Sequence, residues 1–244
     1  MSFFIDIFNN FLYKPLFNAL VLLYEYLPGH SFGLSLIVLT LLIRVALYPL
    51  VVKSIKSQKI LNELQPKLRE IQQKYKGNKE KQSRAMMEFY KKEKINPLGG
   101  CLPTLIQFPI LITLYYVFRN SLNPEQMINL YSWVPFPGTV SSSFFGLVDL
   151  AKPSVLLAIL AGVVQFIQMK MIFPKKSKQA SQKGGAMDKF SNMMQKQMLY
   201  VFPFFAFIIL LKIPSAIALY WIVTALFSAF QQYLIYKPKP KLSS

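Results

Sequence analysis

A chain of 244 residues that is 53% hydrophobic and 15% aromatic is not a disordered protein, and a mean hydropathy of +0.35 sets it apart from ordinary soluble domains. Its net charge of +18 does not by itself mark a nucleic-acid binder, because the lysines and arginines gather between apolar runs, as membrane topology demands. A single cysteine, Cys101, excludes an intrachain disulfide and a paired-thiol metal site, and one histidine, His30, is too little for a histidine-based metal centre or proton relay, so no cofactor or metal is expected.

Over the first 27 residues, Phe3, Phe4, Ile5, Ile7, Phe8, Phe11, Leu12, Leu16 and Phe17 alternate with Asp6, Asn9, Asn10, Lys14 and Asn18. The pattern predicts an amphipathic helix within residues 1–31, lying in the outer interface and broken by Pro15. A signal peptide would need a positive n-region and a small-residue cleavage site, and neither is present. No cysteine near the start offers a lipoprotein anchor. A sixth span over Pro15–Leu27 is opposed by Asn18, by Glu25 and by a length of only about a dozen residues.

The first predicted span covers residues 32–52, with the apolar run Leu34–Val52. Arg44 lies inside it. An arginine at the centre of such a helix costs roughly 2.5–3.5 kcal/mol on insertion scales. None of the ten Asp and Glu residues lies in an apolar run, so no neighbouring span supplies a counter-ion. Arg44 is therefore expected to face a water-filled cavity, the alternative being that it snorkels to a membrane surface. Thr40, four residues earlier, shares its helical face.

Residues 53–97 carry thirteen Lys and Arg against five Glu. Leu61, Leu64, Leu68, Ile71 and Tyr75 follow the seam of an antiparallel helix pair, Lys76-Gly77-Asn78 is the turn, and Met86, Met87 and Tyr90 supply the returning helix's apolar side. This predicts a basic cytoplasmic helical hairpin. Pro66 costs its helix about 3 kcal/mol if interior, which makes the arm mobile.

A second span follows at residues 98–119, an outer loop at 120–153, a third span at 154–173, a basic loop at 174–197, a short fourth span at 198–212, a fifth span at 213–236 and a basic tail at 237–244. The fourth span, Met198–Leu211, rises only about 21 Å against a hydrocarbon core of about 30 Å. Pro214 and Ser215 turn the chain into the fifth span. Segment 120–152 holds a single lysine, whereas 174–197 holds six and the tail holds Lys237, Lys239 and Lys241. Positive-inside then sets the N-terminus outside and the C-terminus in the cytoplasm. Polar residues recur within the spans: Gln107 in the second, Gln165 and Gln168 in the third, and Tyr220 with Trp221 near the middle of the fifth.

Several separated motifs resemble the YidC-type membrane protein insertases, from about Phe32 to Lys237. The most specific is Asn96-Pro97-Leu98-Gly99-Gly100-Cys101-Leu102-Pro103, followed by Gln107-Phe108-Pro109 and Leu114-Tyr115-Tyr116. Arg44 with Tyr48-Pro49-Leu50, then Leu64-Gln65-Pro66-Lys67, and finally Leu219-Tyr220-Trp221 leading to Gln231-Gln232, complete it. The resemblance implies an all-α integral membrane protein of the bacterial cytoplasmic (inner) membrane. Five spans would surround a hydrophilic groove open to the cytoplasm and sealed outside. A groove arginine maps onto Arg44, and Trp221 falls on the substrate-contacting side. The chain lacks the large extracytoplasmic β-domain of Gram-negative members and the lipoprotein cysteine of many Gram-positive ones, which resembles a minimal bacterial form.

The residue chemistry leads to the same mechanism. A groove reaching partway across the bilayer shortens the dry distance for a polar tail, and Arg44, about 12 residues or roughly 18 Å of helix from the outer end, attracts an acidic one. Thr40 and Gln107 are the expected groove companions of Arg44. Gln165 and Gln168 read equally as interhelical hydrogen-bonding residues. Tyr220 and Trp221 would line an apolar slide into lipid. Cys101 reads as a small packing residue.

No nucleotide motif is present, so the expected function is a non-enzymatic insertase and chaperone driven by partitioning and membrane potential. A secondary transporter or anion channel using Arg44 as a binding site is the alternative. Against it stand the absence of any acid in a span for ion coupling and of an inverted repeat. A scaffold acting through the hairpin alone would leave Arg44 unexplained. The implied partners are nascent membrane proteins and the lipid bilayer, with the ribosome and the main protein-translocation channel as further candidates. The lysines after Tyr236 offer contacts to ribosomal RNA phosphates without sequence specificity, and equally read as an ordinary positive-inside tail. The mechanism requires no more than a monomer.

Overall fold

The computed structural model of the chain describes residues 2–96, 99, 102–172, 193 and 196–236. It is helical almost throughout. Helices α1 (Ser2–Phe8), α2 (Lys14–Tyr26), α3 (Phe32–Ala46), α4 (Tyr48–Lys74), α5 (Lys79–Lys92), α6 (Leu102–Ser121), α7 (Val155–Ile172), α8 (Phe202–Leu210) and α9 (Ser215–Tyr236) are interrupted by a single two-stranded ribbon. The ribbon pairs β1 (Ser143–Phe144) with β2 (Val148–Asp149) antiparallel. The expected basic loop at 174–197 and tail at 237–244 fall mostly or wholly outside the described residues.

Two prolines, Pro15 and Pro203, are accommodated in the same way. Pro15 does not break the N-terminal helix. The chain widens into a π turn over Asn9–Tyr13, where the Lys14 N–H reaches back to the Asn9 carbonyl, and Pro15 enters the first turn of α2. Before Pro203 a second π turn, Gln197–Val201, does the same with the Phe202 N–H and the Gln197 carbonyl. A proline ring collides with the carbonyl four residues back, and a widened turn just before it gives that carbonyl room. Pro66 and Pro109 sit inside α4 and α6 without ending them. The first predicted span, by contrast, is not straight. Helix α3 stops at Ala46, and α4 leaves it at 65° with Pro49 in its first turn.

The core is largely apolar, as in a soluble protein, but the surface is apolar as well. Large apolar side chains lie exposed in rows: Leu41, Leu42 and Val45 on α3; Leu105, Phe108, Ile112 and Tyr116 on α6; Val155, Ile159, Val163 and Ile167 on α7; Leu226, Phe230 and Tyr233 on α9. Ser35, Thr40, Arg44, Thr113, Gln165, Ser228, Gln231 and Gln232 are buried. Water would drive the first group inward, so this surface is built for hydrocarbon. Among the described residues, α7 and α9 are each long and apolar enough to cross a membrane, and α3 with α4 makes a third if the bent pair is one span. The fourth predicted span is the short apolar segment Gln197–Leu210.

Helix α9 is the axis of the bundle, packing on α7, α3, α4 and α6. The N-terminal helix belongs to the bundle rather than lying apart. Phe17, Leu20, Val21 and Tyr24 of α2 are buried against α3 and α6. Asn18, 1% exposed, clamps the loop between α6 and α7: its amide donates to the Asn129 carbonyl at 3.1 Å and its oxygen accepts from the Tyr131 N–H at 2.7 Å. Tyr24 accepts from the Ser141 N–H, and Tyr13 from Asn120.

The loop between α6 and α7 also closes the start of α9. The Ser215 and Ala216 N–H groups donate to the carbonyls of Lys152 and Leu150. Asp149 holds this corner, accepting from Ser142 Oγ at 2.6 Å and from the Ala151 N–H at 3.0 Å. Those two bonds keep its carboxyl below the usual range, the Ser142 bond foremost.

Phe144 of the ribbon lies flat on Gly33 of α3, where a Cβ would come within 2.0 Å of the ring. Alanine at this first-turn position gains up to about 1 kcal/mol of helix propensity, but displacing an aromatic ring costs roughly 1–3 kcal/mol. Gly33→Ala is therefore expected to lower the thermal midpoint in detergent by a few degrees. An unchanged or raised midpoint would show that the ribbon yields freely.

Helices α4 and α5 pack on each other, with Leu61, Leu64, Leu68, Ile71 and Tyr75 of α4 at least half-buried. Gly77 takes a left-handed φ of 97° in the turn, and Asn78 caps α5 by accepting from the Lys81 N–H. Met87 is exposed, contrary to expectation, while Met86, Phe89 and Tyr90 are half-buried. Met86 and Met87 stand about 100° apart on a helix and cannot share one face.

Candidate functional site

Arg44 occupies the last turn of α3, just before the bend, and is 7% exposed. Its Nη2 donates to Gln107 Oε1 on α6 at 3.0 Å, and Gln107 Nε2 donates in turn to the Tyr220 hydroxyl on α9. Tyr220 is 2% exposed and stands close enough to the guanidinium to interact with it directly. Three helices thus meet at one charge through neutral groups only. Among the described residues no carboxylate pairs with Arg44.

A guanidinium offers five N–H donors, and the Gln107 oxygen with the Tyr220 hydroxyl leaves several of them for water or a visitor. The space beside it is lined by Arg44, Leu47, Leu50, Val51, Ile106 and Gln107. At about 10 Å³ it has room for roughly one water. The first turn of α4 forms one wall, so a polypeptide reaching Arg44 needs that wall to move.

A second polar link ties α9 to α7. Trp221 Nε1 donates to Gln165 Oε1 at 2.8 Å, and Gln165 is 5% exposed. Consecutive residues of α9 therefore hold two different neighbours, Tyr220 the arginine cluster and Trp221 the third predicted span. Gln168 is half-buried one turn further along α7. Thr40 is buried, with its hydroxyl donating to the Leu36 carbonyl of its own helix at 2.7 Å. Thr113 does the same toward Pro109.

In the Asn96–Pro103 motif, Pro97, Gly100, Cys101 and the side chain of Pro103 are outside the described residues. Gly99 is described. Its N–H donates to the Asn96 carbonyl, and its own carbonyl accepts from Ser54 Oγ of α4 at 2.5 Å. A Cβ there would meet Ser57 at 3.2 Å, so glycine lets the backbone at this position approach α4 closely. Tyr48 and Pro49 are exposed at the bend.

The sequence paired Arg44 with Gln107, and the structure brings them together. It did not place Tyr220 with them, for Tyr220 reads as one half of an aromatic pair. The signal was the spacing Tyr220, Thr224, Ser228, Gln231, which puts polar groups on one face of an otherwise apolar helix.

The profile of the family described as "60Kd inner membrane protein" matches residues 22–242. A protein of Fusobacterium nucleatum named membrane protein insertase YidC is 36% identical over 207 residues, 85% of this chain and 87% of the relative. The chain belongs to the YidC insertase family. An Oceanobacillus iheyensis member of that name is 35% identical over 86% of this chain and 76% of its own length. A crystal structure described as an active YidC insertase with its first transmembrane domain resolved superposes with a TM-score of 0.55, at 25% identity, covering 93% of this chain and 47% of that one. This YidC-family chain is accordingly a membrane protein of a bacterial inner-membrane family, and the exposed apolar rows of its helices agree with that placement.

Proposed function

We propose that this chain inserts newly made membrane proteins into the bacterial inner membrane, drawing the polar tail of a substrate past Arg44 and releasing its apolar segment sideways into lipid. The observation that carries the reading is the buried guanidinium held, among the described residues, by the neutral side chains of Gln107 and Tyr220. A charge fixed by neutral partners keeps its attraction for an arriving carboxylate, and the low-dielectric surroundings strengthen that attraction. The relatives' names supply the substrate class, and the missing counter-ion supplies the means.

In the proposed arrangement five spans, α3 with the start of α4, α6, α7, α8 and α9, cross the bilayer. The basic hairpin α4–α5 and the C-terminus lie in the cytoplasm and the ribbon-bearing loop outside, following the charge asymmetry of the segments. Nascent membrane proteins are the substrates, with the ribosome and the main translocation channel as candidate collaborators. No nucleotide hydrolysis is involved.

The test is reconstitution. Proteoliposomes containing only this chain should give a protease-protected fragment from a short single-span substrate with an acidic outer tail, at a rate several times that of empty liposomes. Equal protection with and without the protein would sink the proposal.

A further inference from the structure

Eleven residues after Tyr220 and Trp221, α9 carries a second adjacent polar pair, Gln231 and Gln232. Eleven residues are close to three whole turns, about 16 Å of axis, and bring each glutamine within roughly 20° of the aromatic above it. The upper pair is satisfied, Tyr220 by Gln107 and Trp221 by Gln165. The lower pair is not. Among the described residues, Gln231, 1% exposed, has no hydrogen-bond partner for its amide nitrogen or its oxygen, and Gln232, 4% exposed, has none for its oxygen. Buried amides without partners destabilise a fold, and leucine on the same faces would avoid that cost.

Helix α4 crosses the bundle next to them. Lys59 donates to the carbonyl of Ile235, one turn beyond Gln231 on the same face, at 3.3 Å, and stands 5.7 Å from the centre of the Tyr236 ring. Asn62 donates to the carbonyl of Ile172, the last residue of α7, at 2.9 Å. Two side chains on one face of α4 thus fasten it to the ends of α9 and α7. At its other end α4 joins α3 only through the 65° bend at Leu47 and forms the wall of the Arg44 pocket. One helix thus rests on the end of α9 that carries the vacant amides and also walls the charge.

We propose that the seam between α4 and α9 is the cytoplasmic way in for the substrate, where Gln231 and Gln232 hydrogen-bond its backbone amides once α4 releases the Lys59 and Asn62 bonds to α9 and α7 and lifts about its bend. This rests on the insertase reading above. An amide with a free donor and a free acceptor matches a peptide group, which offers one of each. Such a site holds any sequence, neutral or charged. It therefore differs in kind from Arg44, which selects acidic tails.

The experiment compares the wild type, Gln231→Leu/Gln232→Leu and Arg44→Ala in proteoliposomes, with one substrate bearing an acidic tail and one bearing a neutral tail. The double leucine variant is expected to slow both substrates alike, by roughly five- to tenfold, with a thermal midpoint equal to or above the wild type. Arg44→Ala should slow the acidic tail selectively. In a Cys101→Ser background, Gln231→Cys should form a disulfide with a cysteine in the tail of a stalled nascent chain. Wild-type rates for the double leucine variant, or a slowing with a lowered midpoint, would assign the amides to bound water or to the fold and overturn the proposal. The insertase reading would stand in that case. A wild type no faster than empty liposomes would overturn both.

Discussion

Arg44→Ala is expected to cut insertion of an acidic-tailed substrate by about ten- to a hundredfold, and Arg44→Lys to recover most of that loss. A hydrogen bond to a charged group contributes about 1.5–3 kcal/mol, and each 1.4 kcal/mol is tenfold in rate or affinity. The alanine variant should still fold, because Gln107 and Tyr220 already bond to each other and lose only a neighbour. Lysine supplies the charge without the planar fork, so recovery measures how much of the effect is attraction alone. A neutral-tailed substrate should respond little to either change. If alanine inserts the acidic tail as fast as arginine, the charge serves only to hydrate or hold the bundle.

Gln107→Glu should produce a loss of similar size by the opposite route. It places beside Arg44, at the present 3.0 Å contact, the carboxylate that the spans of the natural chain lack. The ion pair holds the fold at little net gain or cost, since attraction and desolvation nearly cancel for buried pairs. It also fills the guanidinium with a resident acid, leaving an acidic tail nothing to bind. Gln107→Leu completes the comparison. It strips a hydrogen bond from a buried charge and another from Tyr220, and is expected to destabilise by about 2–3 kcal/mol. Midpoint and insertion rate together separate the cases: Gln107→Glu keeps the midpoint and loses insertion, whereas Gln107→Leu loses midpoint first. A Gln107→Glu variant that inserts acidic tails normally would remove Arg44 from the mechanism.

The sequence disclosed what one-dimensional patterns can carry. Arg44 stood out because a charge in an apolar run has few bland explanations. The hairpin seam was visible because its period is local, as was the turn at Gly77. The bend at Leu47 escaped although a signal existed, for Pro49 cannot donate to Val45 and marks a helix boundary inside the apolar run. The place of α2 in the bundle escaped for a different reason. Asn18 looked like part of a wet face, and only the backbone of the loop between α6 and α7 at Asn129 and Tyr131, more than a hundred residues away, explains its burial. Tyr220 and Gln107 likewise meet across 113 residues of chain. No spacing rule reports such a contact.

The way the loop between α6 and α7 closes α9 has a consequence for the journey's end. A helix start presents unpaired N–H groups and a partial positive charge, and so makes a ready trap for carboxylates. In the proposed orientation the start of α9 faces outward, where an acidic tail emerges after leaving Arg44. The carbonyls of Leu150 and Lys152 already occupy the Ala216 and Ser215 N–H groups. An emerging carboxylate therefore meets no second resting place on that helix, only open water, and the last stretch of its path runs downhill.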